Sequence, residues 1–265
     1  MAQPGMAQPT GRGRAVVVAA SPGIVIAVVA LCVGILLGAP LEGVAVAVVV
    51  GAGLFSLVWF GAASFLVAQL GGSYVQDDDL PRAANLIEGL CATMGLAVPA
   101  MVLLDEPFRG ALTLGRNERT ATVVLTTGLL RALDPVELEG VLAHELSHVK
   151  SGDMVTATMA AAVLLPVSPA FRAAPVVVRR LAGSGRELRA DRSACSVTRY
   201  PPGLRDALVK MSAGPAPAPP SALASTGTGR VLTWSWTVVP ELLAPTDNLG
   251  LLDAPATRVA ALDEA

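Results

Sequence analysis

Two long apolar runs limit what this chain can fold into more than any other feature. Residues 15–38 and 43–70 are nearly unbroken Val, Ala, Leu, Ile and Gly, joined by the short link Gly38-Ala-Pro-Leu-Glu-Gly43. About 20 such residues cross a bilayer as a helix. In hydrocarbon a single segment can satisfy all its own main-chain N–H and C=O groups only as a helix. So short a link makes the two helices antiparallel neighbours, a transmembrane hairpin. Arg12 and Arg14 precede the first run as they would in a signal peptide, but the run is too long for one and a second run follows at once. Only 15% of residues are charged and 53% are hydrophobic, against roughly 25% charged in soluble domains, and mean hydropathy is +0.60. Arg12, Arg14 and, after the second helix, Arg82 place both ends of the hairpin on the cytoplasmic side. The expectation is a multi-pass cell-membrane protein whose bulk faces the cytoplasm and whose first partner is the lipid bilayer.

The net charge of −2 and the lack of a basic block point away from nucleic acid. Cys32, Cys91 and Cys195 are widely spaced, form no CxxC and fit a reducing compartment rather than a disulfide framework. Residues 1–14, with their repeated MAQP, read as a disordered tail. After the hairpin the pattern becomes that of a folded domain. Asp79 is expected to cap a helix with Pro81 in its first turn, burying Leu86, Ile87, Leu90, Cys91 and Met94. Ala100 to Leu104, Ala111 to Gly115 and Thr120 to Thr126 read as short strands. Thr127-Gly128 opens a short helical turn through Leu133. Asp134-Pro-Val-Glu137 is a capping box with proline at the first helical position.

That cap starts the helix carrying Val141-Leu-Ala-His-Glu-Leu-Ser-His-Val-Lys150, which holds the chain's two histidines in the spacing HExxH. His144 and His148, four apart, share one helix face and can hold a single Zn²⁺, while Glu145 can reach a water on that ion. The helix should end near Gly152. Asp153 to about Ala173 is apolar but short for a span and interrupted by Pro166 and Pro169. It is expected to be a helix packed on the domain or dipping into the membrane surface.

With no third histidine, a three-ligand site must recruit a carboxylate. Gly183-Ser-Gly-Arg-Glu-Leu-Arg-Ala-Asp-Arg192 opens a helix on which Glu187 and Asp191 share a face. Glu187 is the candidate third ligand, and Asp191 can accept the free N–H of a ligating histidine. The competing reading is an exposed helix with ordinary pairing among Arg186, Glu187, Arg189, Asp191 and Arg192. Residues 204–212 continue as helix, and 213–230 are a Pro/Ala/Ser-rich loop. Val231 to Val239 read as a strand or amphipathic turn, and 254–265 as a last short helix.

These motifs resemble the HtpX-type membrane zinc metalloproteases, gluzincins related to the CAAX prenyl proteases. The resemblance rests on Gly115-Arg-Asn, Thr126-Thr-Gly-Leu-Leu130, Leu138 through Lys150, Gly152-Asp153 and Arg186-Glu-Leu-Arg-Ala-Asp191, and it spans about residues 15–212. It implies one Zn²⁺ per chain on His144, His148 and Glu187, Glu145 as general base, and an edge strand at Ala111 to Gly115 that pairs with substrate backbone. Three features depart from the family pattern. Only 38 residues separate His148 from Glu187, fewer than in members with two further membrane helices there. Gly110-Ala111-Leu112 replaces Asn-Ala-Phe. Asp253-Ala-Pro-Ala-Thr-Arg258 stands where a His-Pro-Pro motif precedes an arginine, which leaves Arg258 and Tyr200 as candidate transition-state donors.

The expected architecture is α+β and mostly helical: a hairpin over 15–75, a zincin-like protease domain with a small edge sheet over 76–212, and a C-terminal part of that domain over 231–265. The expected reaction is hydrolysis of peptide bonds in membrane or misfolded proteins. The alternative is a non-catalytic membrane protein that keeps a structural zinc site for partner binding. A prenyl-protein protease would need more membrane helices than these.

Overall fold

A computed structural model describes residues 11–166, 177, 180–181, 183, 185–213 and 255–264. Two long helices come first, α1 (Gly11–Leu36) and α2 (Pro40–Leu70). At 1.5 Å per residue they extend about 39 and 46 Å. They lie so close that a Cβ on Gly34 would sit 2.8 Å from Gly43 Cα, and one on Gly23 would sit 2.8 Å from the Gly51 carbonyl oxygen. Small residues at such crossings let apolar helices pack backbone to backbone. The side chains along the shaft, among them Ile24, Val28, Val33, Val44 and Val48, face outward. Apart from the buried glycines Gly23, Gly34 and Gly43 at the crossings, burial is found at the foot, at Ala15, Val18 and Ala19 of α1 and at Ala62, Leu66, Val67 and Leu70 of α2. An exposed apolar surface of that extent is suited to lipid and not to water.

Past the foot lie β1 (Ser73–Val75), a 3-10 turn at Asp77–Asp79, α3 (Pro81–Met94), β2 (Ala100–Leu104), β3 (Ala111–Leu114), β4 (Thr122–Thr126) and α4 (Thr127–Ala132). Among the described residues the strands make one four-stranded sheet in the order β1-β2-β4-β3. β2 and β4 run parallel, while β1 and β3 are antiparallel to their neighbours. The β-branched β4 is buried along its whole length, as an interior strand should be. Among the described residues β3 is the outermost strand on its side of the sheet, with Thr113 paired to Val123.

α5 (Pro135–Ser151) passes through the middle of the molecule against α3, β3 and the helices that follow. Its capping box is complete: Asp134 Oδ1 accepts from the N–H groups of Val136 and Glu137, each 2.9 Å away, and Glu137 Oε2 accepts from Asp134 N–H at 2.9 Å. Every residue from Leu138 to Val149 except Glu139 is buried. Then come α6 (Asp153–Leu164), α7 (Arg186–Thr198), α8 (Pro201–Ser212) and α9 (Pro255–Asp263), the last packed on α7 and α8. α6, only 12 residues and about 18 Å long, lies against both hairpin helices and β3, so it is a buried bracket between membrane anchor and domain.

Several sequence expectations need correction. Asp79 does not cap α3: it closes the 3-10 turn, its Oδ2 accepting from Gln76 N–H at 2.9 Å, and Leu80 precedes the helix. Arg12 and Arg14 belong to α1 and not to a tail, because Gly11–Arg14 continue the helix without a break. β1 carried no signal strong enough to be read. The strand or turn expected at 231–239 and the loop from 214 lie outside the described residues.

Candidate metal centre

Two helices build the site. α5 presents His144 and His148 one turn apart, fully buried. α7, packed across α5, presents Glu187 in its first turn and Asp191 one turn later. His144 Nε2 lies 3.1 Å from Glu187 Oε2 and 3.2 Å from His148 Nε2, and His148 Nε2 lies 3.6 Å from the same Glu187 oxygen. Ligand atoms held about 2.0–2.1 Å from a tetrahedral ion stand about 3.3 Å apart. The three donor atoms therefore fit one metal ion, and His144, His148 and Glu187 form a group compatible with a metal site.

The far nitrogens of the histidines support the same reading. His144 Nδ1 is 2.8 Å from Asp191 Oδ1, and His148 Nδ1 is 2.9 Å from Asp153 Oδ1. A carboxylate can only accept, so each Nδ1 carries a proton, and each Nε2 is the nitrogen left to turn a lone pair to a metal once its own proton is released. Asp153 reaches His148 because Gly152, at φ 71°, ends α5 in the left-handed region and starts α6 at once.

Burial opposes charge on all these groups, and their neighbours overcome it. His148 is penalised by burial and by Arg186, yet Glu187 and Asp153 push it up to about 9. His144 is raised likewise: burial works against it, and Asp191 and Glu187 outweigh that. Burial also resists ionisation of Glu187, but Arg186 and the two histidines hold its carboxyl well below the usual range. Asp191, although buried, is held low by Arg258 and His144. The carboxylates thus stay ionised and draw positive charge to this point.

Arg258 is brought into the site from α9 and is 1% exposed. Its Nε donates to Asp191 Oδ2 at 2.7 Å and its Nη2 to Asp191 Oδ1 at 2.6 Å, a two-pronged pair, while Nη1 stands 3.8 Å from Glu187 Oε2. Tyr200 is placed elsewhere. It is 54% exposed at the start of α8, with its ring against Gly203. Glu145 is buried, and its Oε2 accepts from Thr113 Oγ1 at 2.7 Å, which joins it to the edge strand β3.

Sequence reading assigned no role to Asp153, Thr113 or Arg186. Arg186 Nε is 3.0 Å from Glu187 Oε1, although without hydrogen-bond geometry. Asp153 and Arg186 had left only a trace, in the Gly-Asp pair that follows the HExxH helix and at the head of the Arg186–Asp191 motif.

Residues 81–244 match peptidase family M48. A protease HtpX homolog of Tropheryma whipplei (strain Twist) is 31% identical over 198 residues, 63% of this chain and 68% of that one. One from Methylibium petroleiphilum is 30% identical over 210 residues, 68% of this chain and 74% of its own length. Protease HtpX homolog 1 of Streptomyces coelicolor is 32% identical over 185 residues, 58% and 60% of the two chains. No solved structure matches.

Proposed function

Because the chain belongs to peptidase family M48, among its HtpX-type membrane metalloproteases, we propose that it is a zinc-dependent endopeptidase that cuts membrane or misfolded polypeptides at the cytoplasmic face. The observation that carries this reading is the convergence of His144 Nε2, His148 Nε2 and Glu187 Oε2, with each imidazole fixed from behind by its own aspartate. These three residues would hold one Zn²⁺ per chain. Such an ion supplies a Lewis acid that brings the pKa of water down to about 7 and polarises a carbonyl.

The remaining work falls to the protein. The Glu145 carboxylate, steadied by Thr113, takes the proton of the attacking water and returns it to the leaving nitrogen. Substrate lies as an added strand beside β3, which brings its backbone past Glu145. Arg258 acts by holding Asp191, and through it the ring of His144. The anchor is the hairpin over residues 15–75. The protease domain is residues 76–212 completed by 231–265, as the packing of α9 on α7 and α8 supports.

The test is hydrolysis of an unfolded protein substrate in detergent or lipid with added zinc. Glu145→Gln should keep the metal and lose about 10²–10⁴-fold in rate. His148→Ala should lose metal and activity together. Equal rates for wild type and Glu145→Gln, with metal bound in both, would leave only a structural metal site.

A further inference from the structure

At the foot of the hairpin three arginines stand apart from the chemistry described above. Arg12 opens α1, and Arg116 and Arg119 lie on the connection between β3 and β4. Arg119 is the common wall of two hollows. One, of about 570 Å³, is polar and bounded by Arg12, Asn117, Lys150 and the Ser151-Gly152 turn, with Glu118 on its rim. The other, of about 300 Å³, has Arg116 and Arg119 on one side and Trp59, Phe60 and Met159 on the other. The Arg116 guanidinium sits 4.6 Å above the Phe60 ring. Among the described residues no carboxylate comes within ion-pair range of Arg12, Arg116 or Arg119. Lys150 is engaged by the Met94 carbonyl at 3.0 Å.

The height of this ledge follows from the helices. Phe60 is 20 residues from Pro40 at the hairpin turn, and Val16 is 20 residues from Leu36. At 1.5 Å per residue both lie about 30 Å from the tip, one hydrocarbon thickness. Trp59 and Phe60 are therefore where interfacial aromatics belong, and the three arginines are at headgroup level. An apolar wall under unneutralised guanidiniums at that depth matches the phosphate and upper chain of a lipid.

We propose that the foot of the hairpin is a binding site for an anionic phospholipid. Arg116 and Arg119 hold its phosphate oxygens, Arg12 adds attraction, and Trp59 and Phe60 pack against its first methylenes. A net negative lipid is selected because three arginines and Lys150 line the two hollows against one carboxylate, Glu118. This inference rests on the hairpin lying in a bilayer and is independent of the hydrolytic mechanism.

The full chain, purified in detergent, is incubated with equal amounts of phosphatidylglycerol and phosphatidylcholine, and the lipids it retains are counted by native mass spectrometry. Wild type should retain phosphatidylglycerol preferentially, and the preference should fall roughly fivefold for each arginine removed in Arg116→Gln, Arg119→Gln and their double variant. It should return in Arg116→Lys/Arg119→Lys. Thermal unfolding and metal content show whether each variant is folded. Independently of any variant, added salt should erode the preference in wild type, whereas millimolar glycerol phosphate should not displace the lipid. Equal retention of both lipids by wild type overturns the site while leaving the hairpin in the membrane. Retention of neither overturns its premise. A preference that survives in the folded double glutamine variant, or displacement by soluble glycerol phosphate, overturns it as well.

Discussion

Each histidine of the centre is held at both ends, by a carboxylate behind and by Glu187 in front, and this gives the site a defined response to pH. With His148 at about 9 in the metal-free fold and near 6.5 in the unfolded chain, its proton stabilises the metal-free protein fully below about pH 6.5. That contribution is lost as pH rises through about 9. A metal needs the same Nε2 unprotonated, so uptake between pH 7 and 8 should release about one proton per site or more, and affinity should climb with pH up to about 9. Calorimetry in buffers of differing protonation enthalpy measures this directly, and uptake with no proton release would show that His148 is already neutral. His144, His148, Glu187 and Asp191 were legible in sequence because each pair sits four apart on one helix, so local geometry alone puts both members on one face. Asp153 was not, because its direction depends on the left-handed turn at Gly152. Thr113 meets Glu145 across 32 residues, a contact with no local signal. Sequence also could not place Arg258 beside Asp191, since that pairing comes from the docking of α9 on α7.

At the level of elements, α5 owes its start to two reciprocal bonds and its fixed position to near-complete burial. Asp134→Ala removes the acceptor for two N–H groups and should cost about 1 kcal/mol, seen as a lower midpoint in denaturant with catalytic rate per folded molecule unchanged. A loss of several kcal/mol would mean that the first turn also holds α8, through the Lys210–Glu137 pair with its nitrogen 2.7 Å from Oε2. The helices and three of the strands could be read from apolar spacing, caps and β-branched runs. β1 could not. It has three residues, two of them exposed, and exists only because β2 is there to pair with it. Asp79 shows the opposite error: an acid before a proline looks like a cap, but here the chain makes a 3-10 turn first, and that turn takes the carboxylate.

For the whole molecule, both feet of the hairpin meet the domain at the same end, so a bilayer around the shaft would leave the start of the first helix and the finish of the second on one side. With Arg12 and Arg14 at that end, a reporter fused after Ala265 should be active only as a cytoplasmic form, and activity of an exported reporter there would reverse the orientation. α6 is packed against both hairpin helices and is separated from the end of α5 by Gly152 alone. On the proposed membrane placement, α5 thus has little freedom to rise from the membrane plane or tilt against it. If the proposed protease is held in this way, it encounters bilayer-borne substrates by lateral diffusion, and its encounter rate depends on molecules per unit area, not per unit volume. Adding plain lipid at constant amounts of enzyme and membrane substrate should therefore slow cleavage in proportion to the added area. A soluble unfolded substrate in the same vesicles should be cut at an unchanged rate. Equal dilution effects on the two substrates would mean that the domain works free of the surface.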